Sequence, residues 1–346
     1  MVGGLLGEME AVGLGQSERS QGDSHWQEGK TANRSRSRIK INLRTGPSYQ
    51  SFEFPLIATY NRIVNEFAVV VDSVADLPEE LVEQFGLTLV PFPVVFGGKS
   101  FLDKIDLSPK KFFQFLRSDS TVPSTSAPPP GTYLEIFRRL LVHGKSILAC
   151  TVAARQSAAY QSATIAKSMV PEGEIEIIDS KSVSMGLGFV AMEAANAVRE
   201  RNLKEEILGR VQRVVSRIQI LAMLPDLKYA ERNGRISSAV ARVVNFLNIK
   251  PIIRIRQGVI ELASKASSYR TAMEKMIHKI RSVVGEQRCR LSVIHADVEE
   301  EALALRTRLM REFAFVEDIP ISEVGPALGS HSGPGAIAVA FYPIES

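Results

Sequence analysis

The chain has 346 residues, of which 45% are hydrophobic, with 42 Lys and Arg against 38 Asp and Glu for a formal charge of +4. This is enough apolar sequence for two ordinary domains, and the balanced charge argues against a nucleic-acid binder. The best candidate for a membrane span, Val183 to Val198, carries Glu193 in its middle and falls short of the roughly 20 apolar residues a bilayer needs.

Residues 1–65 lack sustained periodicity and are rich in Gly, Ser, Gln and Arg, which predicts an irregular extension. The opening MVGGLLGEMEAVG has neither the basic region nor the apolar core of a signal peptide, so export is not expected. A start codon placed upstream of the folded part is one expectation for this segment. The basic run Lys30, Arg34, Arg36, Arg38, Lys40 and Arg44 reads as solvated sequence before it reads as an arm for acidic partners.

The folded pattern begins with Phe67–Val71, a β-branched apolar run that predicts a buried parallel strand ending at Asp72 and Ser73. Leu77 to Phe85 has helical spacing, with Asp76 as the expected N-cap and Gly86 as the stop. Thr88 to Phe96 reads as one strand, Gly97-Gly98 as a hairpin turn and Pro109 to Leu116 as a helix opened by Ser108. The proline-dense TVPSTSAPPPG at 121–131 predicts loop. Helices are then expected at Tyr133 to Val142 and Gln156 to Met169, strands at Ser146 to Thr151 and Ile175 to Ile178, and a long helix from Met185. Strand and helix alternating at this spacing predict an α/β fold, a parallel sheet with helices on both faces, over residues 66–215.

Over residues 216–346 the pattern changes to α+β. A long helix beyond Leu203 leads to the turn ERNGRIS, then a hairpin of Pro251 to Ile255 and Val259 to Ala263 and a helix from Ser268 to Val284. Strands at Arg290 to Ala296 and Val316 to Glu323 flank a helix at Glu299 to Glu312, and GPALGSHSGPG reads as a loop before a final apolar strand. Cys150 and Cys289 have no CxxC spacing and no His pair has zinc-ligand spacing, so no metal site, no disulfide and a reducing, cytoplasmic setting are expected.

Polar residues gather where predicted strands end: Asp72 and Ser73, Thr125 and Ser126, Ser157, Asp179 and Ser180. Carboxyl ends of parallel strands share one edge, so these loops should line a common crevice. Ser157 and Ala158 stand near a helix start, where free N–H groups favour an anion. His331, among small residues, can donate to a carboxylate or phosphate. Arg235 follows a glycine turn and can project toward an anion, whereas Arg254 and Arg256 read as a solvated strand face. A hydrolase with Ser157 as nucleophile, His331 as base and Asp72 as orienter is the catalytic alternative, although RQSAA is not a G-x-S-x-G elbow. A lipid-responsive regulatory protein is the third reading.

VVVDSVADLP, TVPSTSAPPPGTY, SAAYQSA, IIDSKSVSMGLGF, ERNGRISS, LNIKPIIRI and HSGPGAIAVAFYP, in this order, resemble the DegV family over about Ala68 to Pro343. The resemblance implies two α/β domains with an acyl chain buried between them, hence a fatty-acid-binding protein without cofactor or metal rather than an enzyme. It further implies a partner kinase subunit that phosphorylates the bound acid to an acyl phosphate, and peripheral membrane contact for lipid exchange. Thr125 and Ser126 match the family's Thr-Ser, Ser157 its serine, His331 its histidine, and Arg235 its GRIS turn, the last implied to meet phosphate or partner. Ala127, Ala153, Ala154, Ala158 and Ala159 depart from polar or glycine positions of relatives, which implies a head-group site with fewer donors.

Overall fold

The computed structural model describes residues 67–118, 122–235, 249–313 and 318–344, and the backbone of 38–45 and 48–55. The chain divides into two compact units, Met1–Ile63 and Val64–Ser346. In the first, β1 (Arg38–Thr45) pairs antiparallel with β2 (Ser48–Pro55), a ribbon inside the stretch expected to be irregular.

The second unit opens with β3 (Phe67–Asp72), which ends in a short 3-10 turn at Ser73–Ala75. Asp76 is not the expected N-cap: it is buried in the left-handed region with φ 52°, and α1 (Glu79–Phe85) starts beyond Pro78, whose fixed φ suits a helix entry. The single strand expected over Thr88 to Phe96 is two, β4 (Thr88–Val90) and β5 (Pro93–Phe96), in different sheets. Pro91 and Pro93 lack the N–H a continuous ladder requires, so the chain leaves one sheet and enters another. Gly97 and Gly98, both at positive φ, turn β5 into β6 (Lys99–Leu102), followed by α2 (Pro109–Ser118).

Within the proline-rich segment lies a two-residue strand, β7 (Ser124–Thr125), paired antiparallel with β5. Then come α3 (Pro130–Val142), β8 (Ser146–Thr151), α4 (Ala159–Ser168), β9 (Ile175–Asp179), α5 (Ser184–Arg199) and α6 (Lys204–Arg217). Ser157 precedes α4 rather than lying in it. Strands β4, β3, β8 and β9, in that order, form the expected parallel sheet.

One residue after α6 begins β10 (Gln219–Met223), a strand absent from the sequence reading. The spacing of Val211, Val214, Val215 and Ile218 continues helical periodicity to the edge of Gln219, so the change of period has no turn residue to mark it. After α7 (Lys228–Arg232) follow β11 (Lys250–Arg256), β12 (Val259–Ala266), α8 (Tyr269–Val284), β13 (Cys289–His295) and α9 (Glu299–Glu312). The chain closes with β14 (Ile321–Glu323), α10 (Pro326–Ser332) and β15 (Ile337–Pro343). Ile236 and Ser237 of the GRIS turn, and 316–317 of the strand expected from Val316, lie outside the described residues.

Strands β12-β11-β10-β15-β13-β14 make a six-stranded mixed sheet in which only β13 and β14 are parallel. Period-2 alternation splits its side chains between two cores. Leu221, Met223, Val293 and Val339 face α8 and α9, while Ile220, Ala222, Ile253 and Ala338 join a cluster continuous with the parallel sheet and α5. That second face is where the cavity lies.

Candidate functional site

Between the second face of the six-stranded sheet and the strand ends of the first half lies a cavity of about 1090 Å³, measured to include its opening to solvent. Its walls are mainly aliphatic: Val74, Val152, Val183, Ile220, Ile255 and Ile294 are representative. Walls in which aliphatic side chains predominate suit a ligand that is mostly hydrocarbon. The polar side chains on its wall are Thr125, Ser126, Gln156, Ser157, Ser184, Arg235, His331 and Ser332.

Thr125 is held by pairing of β7 with β5, where it lies opposite Val94. Its hydroxyl meets His331 Nε2 at 2.9 Å, across 206 residues of sequence. His331 is not in a loop as the glycine and proline content suggested but on α10, entered through Pro326 at the first turn, a position where the missing N–H costs nothing. Gly329 lets this helix lie on α2, since a Cβ there would stand 2.8 Å from Phe112 Cε1. Gly333, at φ +68° with the Tyr229 ring against it, turns the chain toward β15; the HSGPG motif is thus the exit of a helix.

Burial, and secondarily the nearby Arg235 guanidinium, lower the His331 imidazole to about 4, so it is neutral at neutral pH. His331 Nδ1 is buried without a partner. Either tautomer then leaves one proton unspent. If Nε2–H donates to Thr125, the threonine hydroxyl proton is free; if threonine donates to Nε2, the Nδ1–H has no acceptor. Ser157 Oγ accepts from Ala159 N at 3.2 Å, which spends a lone pair and keeps the hydroxyl proton available. Ser126 and Arg235 are exposed on the wall, and Arg235 Nη1 donates to Asn233 O at 2.7 Å. The arrangement offers several donors, one of them a fixed positive charge, to an anion entering an otherwise apolar cavity.

Two expected residues lie elsewhere. Ser73 is buried and serves the fold, donating to Asp103 Oδ2 at 2.6 Å and accepting from Phe92 N at 3.1 Å. Ala158 is exposed at the start of α4 and does not line the cavity. Ala127 does line it, a methyl where the resemblance implies an amide. The hydrolase arrangement does not assemble: Asp72 receives Tyr133 Oη–H at 2.5 Å and Val152 N–H at 2.8 Å, far from any role in orienting an imidazole bonded to Thr125. Burial raises Asp72 to about 7 against the pull of those two hydrogen bonds. No cluster of three or more His, Cys, Asp or Glu suited to a metal occurs among the described residues. Nor, among them, is any helix long and apolar enough to cross a membrane.

The sequence reading missed the groups that hold α10 in place. Gly325 N donates to Asp76 Oδ1 at 2.8 Å and Ala327 N donates to Asp103 Oδ1 at 3.0 Å, so two buried carboxylates cap the helix that carries His331. Ser184 Oγ donates to Asp76 Oδ2 at 2.7 Å, and Ser322 Oγ donates to the Asp76 carbonyl. Burial is the main cause that raises both carboxylates, Asp76 to about 6. Gln156, also missed, lines the cavity and donates from Nε2 to Gly258 O at 2.7 Å, tying the β11–β12 turn to the loop before α4.

Parallel sheet, mixed sheet and an apolar cavity with a polar patch on its wall define a mixed α/β protein in which both sheets contribute to one cavity. The family model for uncharacterised proteins of the DegV family, COG1307, matches residues 66–344, and the chain belongs to that family. It is 30% identical to a DegV domain-containing protein of Caldanaerobacter subterraneus subsp. tengcongensis over 80% of this chain and 99% of the relative. It is 29% identical to the protein DegV of Bacillus subtilis, over 79% and 97%. Among solved structures it is similar to a DegV family protein from Thermus thermophilus described by its fatty acid binding, with TM-score 0.76, 26% identity and coverage of 81% and 100%. The crystal structure of DegV from Bacillus subtilis, described as a fatty acid binding protein, gives TM-score 0.73 at 27% identity over 81% and 99%.

Proposed function

We propose that this chain is a cytoplasmic, non-catalytic fatty-acid-binding protein that buries the acyl chain in the cavity and presents the carboxylate to a partner kinase for acyl-phosphate formation. The observation that carries the reading is an aliphatic cavity in which Thr125 and His331 are already paired with a proton to spare, beside Ser157, Ser126 and Arg235. The relatives described as fatty acid binding support the ligand class. Burial of a chain of about sixteen carbons contributes about 0.8 kcal/mol per methylene, roughly 10 kcal/mol before the cost of association, so the tail sets affinity and the polar patch sets orientation. Arg235, charged and exposed, is the residue that meets the phosphate or the kinase. Native mass spectrometry of the purified protein tests the ligand: an added mass of a fatty acid is expected, restored after delipidation by adding the acid. Protein that carries no lipid and takes up none sinks the reading. For the partner, a fatty-acid kinase with ATP and the loaded protein should yield acyl hydroxamate on trapping with hydroxylamine, and Arg235→Ala should reduce that yield at least tenfold when compared at equal lipid occupancy.

A further inference from the structure

The second face of the six-stranded sheet has a trough built into it. Ile253 on β11 stands opposite Ala222 on β10, Ala222 opposite Ala338 on β15, and Ala338 opposite Ile294 on β13. Directly opposed residues share a face, so the row reads large, small, small, large across four adjacent strands. All four side chains line the cavity. Their exposures agree: Ala222 and Ala338 each keep 8%, whereas Ala340, next along β15 on the same face, is at 0% and does not line it. The sheet thus lowers its floor by two methyl-sized residues at its centre and raises isoleucine walls on either side. β-branched residues, which strands favour, occupy Ile220, Ile252, Ile253 and Ile255 nearby, so alanine here is not the choice of strand propensity.

We infer that Ala222 and Ala338 are specificity-determining residues whose small side chains set the length of hydrocarbon chain the cavity accepts. The inference rests on the fatty-acid reading above and deepens it. An isoleucine at either position adds three carbon atoms to the floor, the space of about three chain carbons at interior packing density. A chain whose last methylenes lose their place forfeits roughly fourfold in affinity for each, the equivalent of about 0.8 kcal/mol per CH₂.

The test measures affinities of the delipidated full chain for saturated fatty acids of about ten to about eighteen carbons, with thermal melting to confirm a folded protein. In Ala222→Ile and in Ala338→Ile the preferred length should fall by about three carbons. Acids at the former optimum should weaken on the order of 60-fold while the shortest acids change little. Ile294→Ala, which removes three carbons from a wall, should move the optimum the other way and keeps the test alive where an added side chain prevents folding. An equal loss at every chain length, or an unshifted optimum in the folded variants, overturns the inference while leaving fatty-acid binding in place. Wild-type protein that binds none of the series overturns the underlying reading and this one with it.

Discussion

At the scale of single residues, the Thr125–His331 pair shows what a linear reading can and cannot reach. Thr125, Ser126, Ser157, Arg235 and His331 were all legible as hydroxyls, an arginine and an imidazole in turn-rich sequence, and all five line the cavity. Ser73 and Ala158 were equally plausible from strand-end and helix-start position, yet Ser73 is taken by Asp103, thirty residues away across a different sheet. That partnership depends on where β6 ends in space, and nothing local to Ser73 announces it. The protonation state of His331 was illegible for the same reason, because its lowered value comes from burial by α10's neighbours. It has a measurable consequence. A base whose folded value, about 4, lies below its unfolded value near 6.5 binds fewer protons folded than unfolded, so its contribution to stability rises with pH across that window. His331→Asn should therefore be more favourable, relative to wild type, at pH about 4.5 than at pH about 7, read from urea unfolding at both. A difference that stays constant with pH would mean the imidazole takes up its proton in the native state just as it does unfolded. Thr125→Val, which keeps the shape and removes the donor, should weaken fatty-acid binding about tenfold or more, from the loss of one charge-assisted hydrogen bond.

At the scale of elements, most boundaries followed from proline, glycine and period, and the failures have local causes. β10 escaped because a helical stripe runs into it without a breaker, and α10 because a seven-residue helix holding a proline and a glycine, with a glycine at each cap, looks like loop. Asp76 looked like a cap for the helix that follows it, and instead caps the N-terminus of α10 some 249 positions later. Since α10 carries His331, Asp76 and Asp103 position the imidazole without touching the cavity. Asp103→Asn places an amide where Ala327 N–H or Ser73 Oγ–H must donate, and should cost about 1–3 kcal/mol of stability. It should also weaken fatty-acid binding. Tyr133→Phe serves as the contrast: it removes a donor from buried Asp72 and costs a similar amount, but α10 does not depend on it, so binding should hold. If both variants melt early and both bind normally, Asp103 holds the fold and not the site.

At the scale of the whole molecule, sequence pattern divides the folded part near residue 215, where α/β alternation gives way to α+β, whereas packing does not respect that line. Val71 of β3, Ala191 of α5, Ile220 of β10 and Ala338 of β15 belong to one hydrophobic cluster, and Val64–Ser346 is one compact unit. Each half on its own exposes its side of that cluster to water, and each contributes walls to the cavity: Val74 and Val152 from one, Ile255 and Ile294 from the other. Unfolding should accordingly be a single transition by calorimetry rather than two, because melting either half strips the other of its core. Ligand should act on that transition as a whole. A fatty acid at about 100 times its Kd adds roughly 2.7 kcal/mol to the folded state, and a domain of this size gains about 2–4 °C per kcal/mol, so the whole peak should move up by roughly 5–10 °C. Two resolved transitions, of which the acid shifts only one, would show that the halves fold independently and that the cavity belongs to one of them.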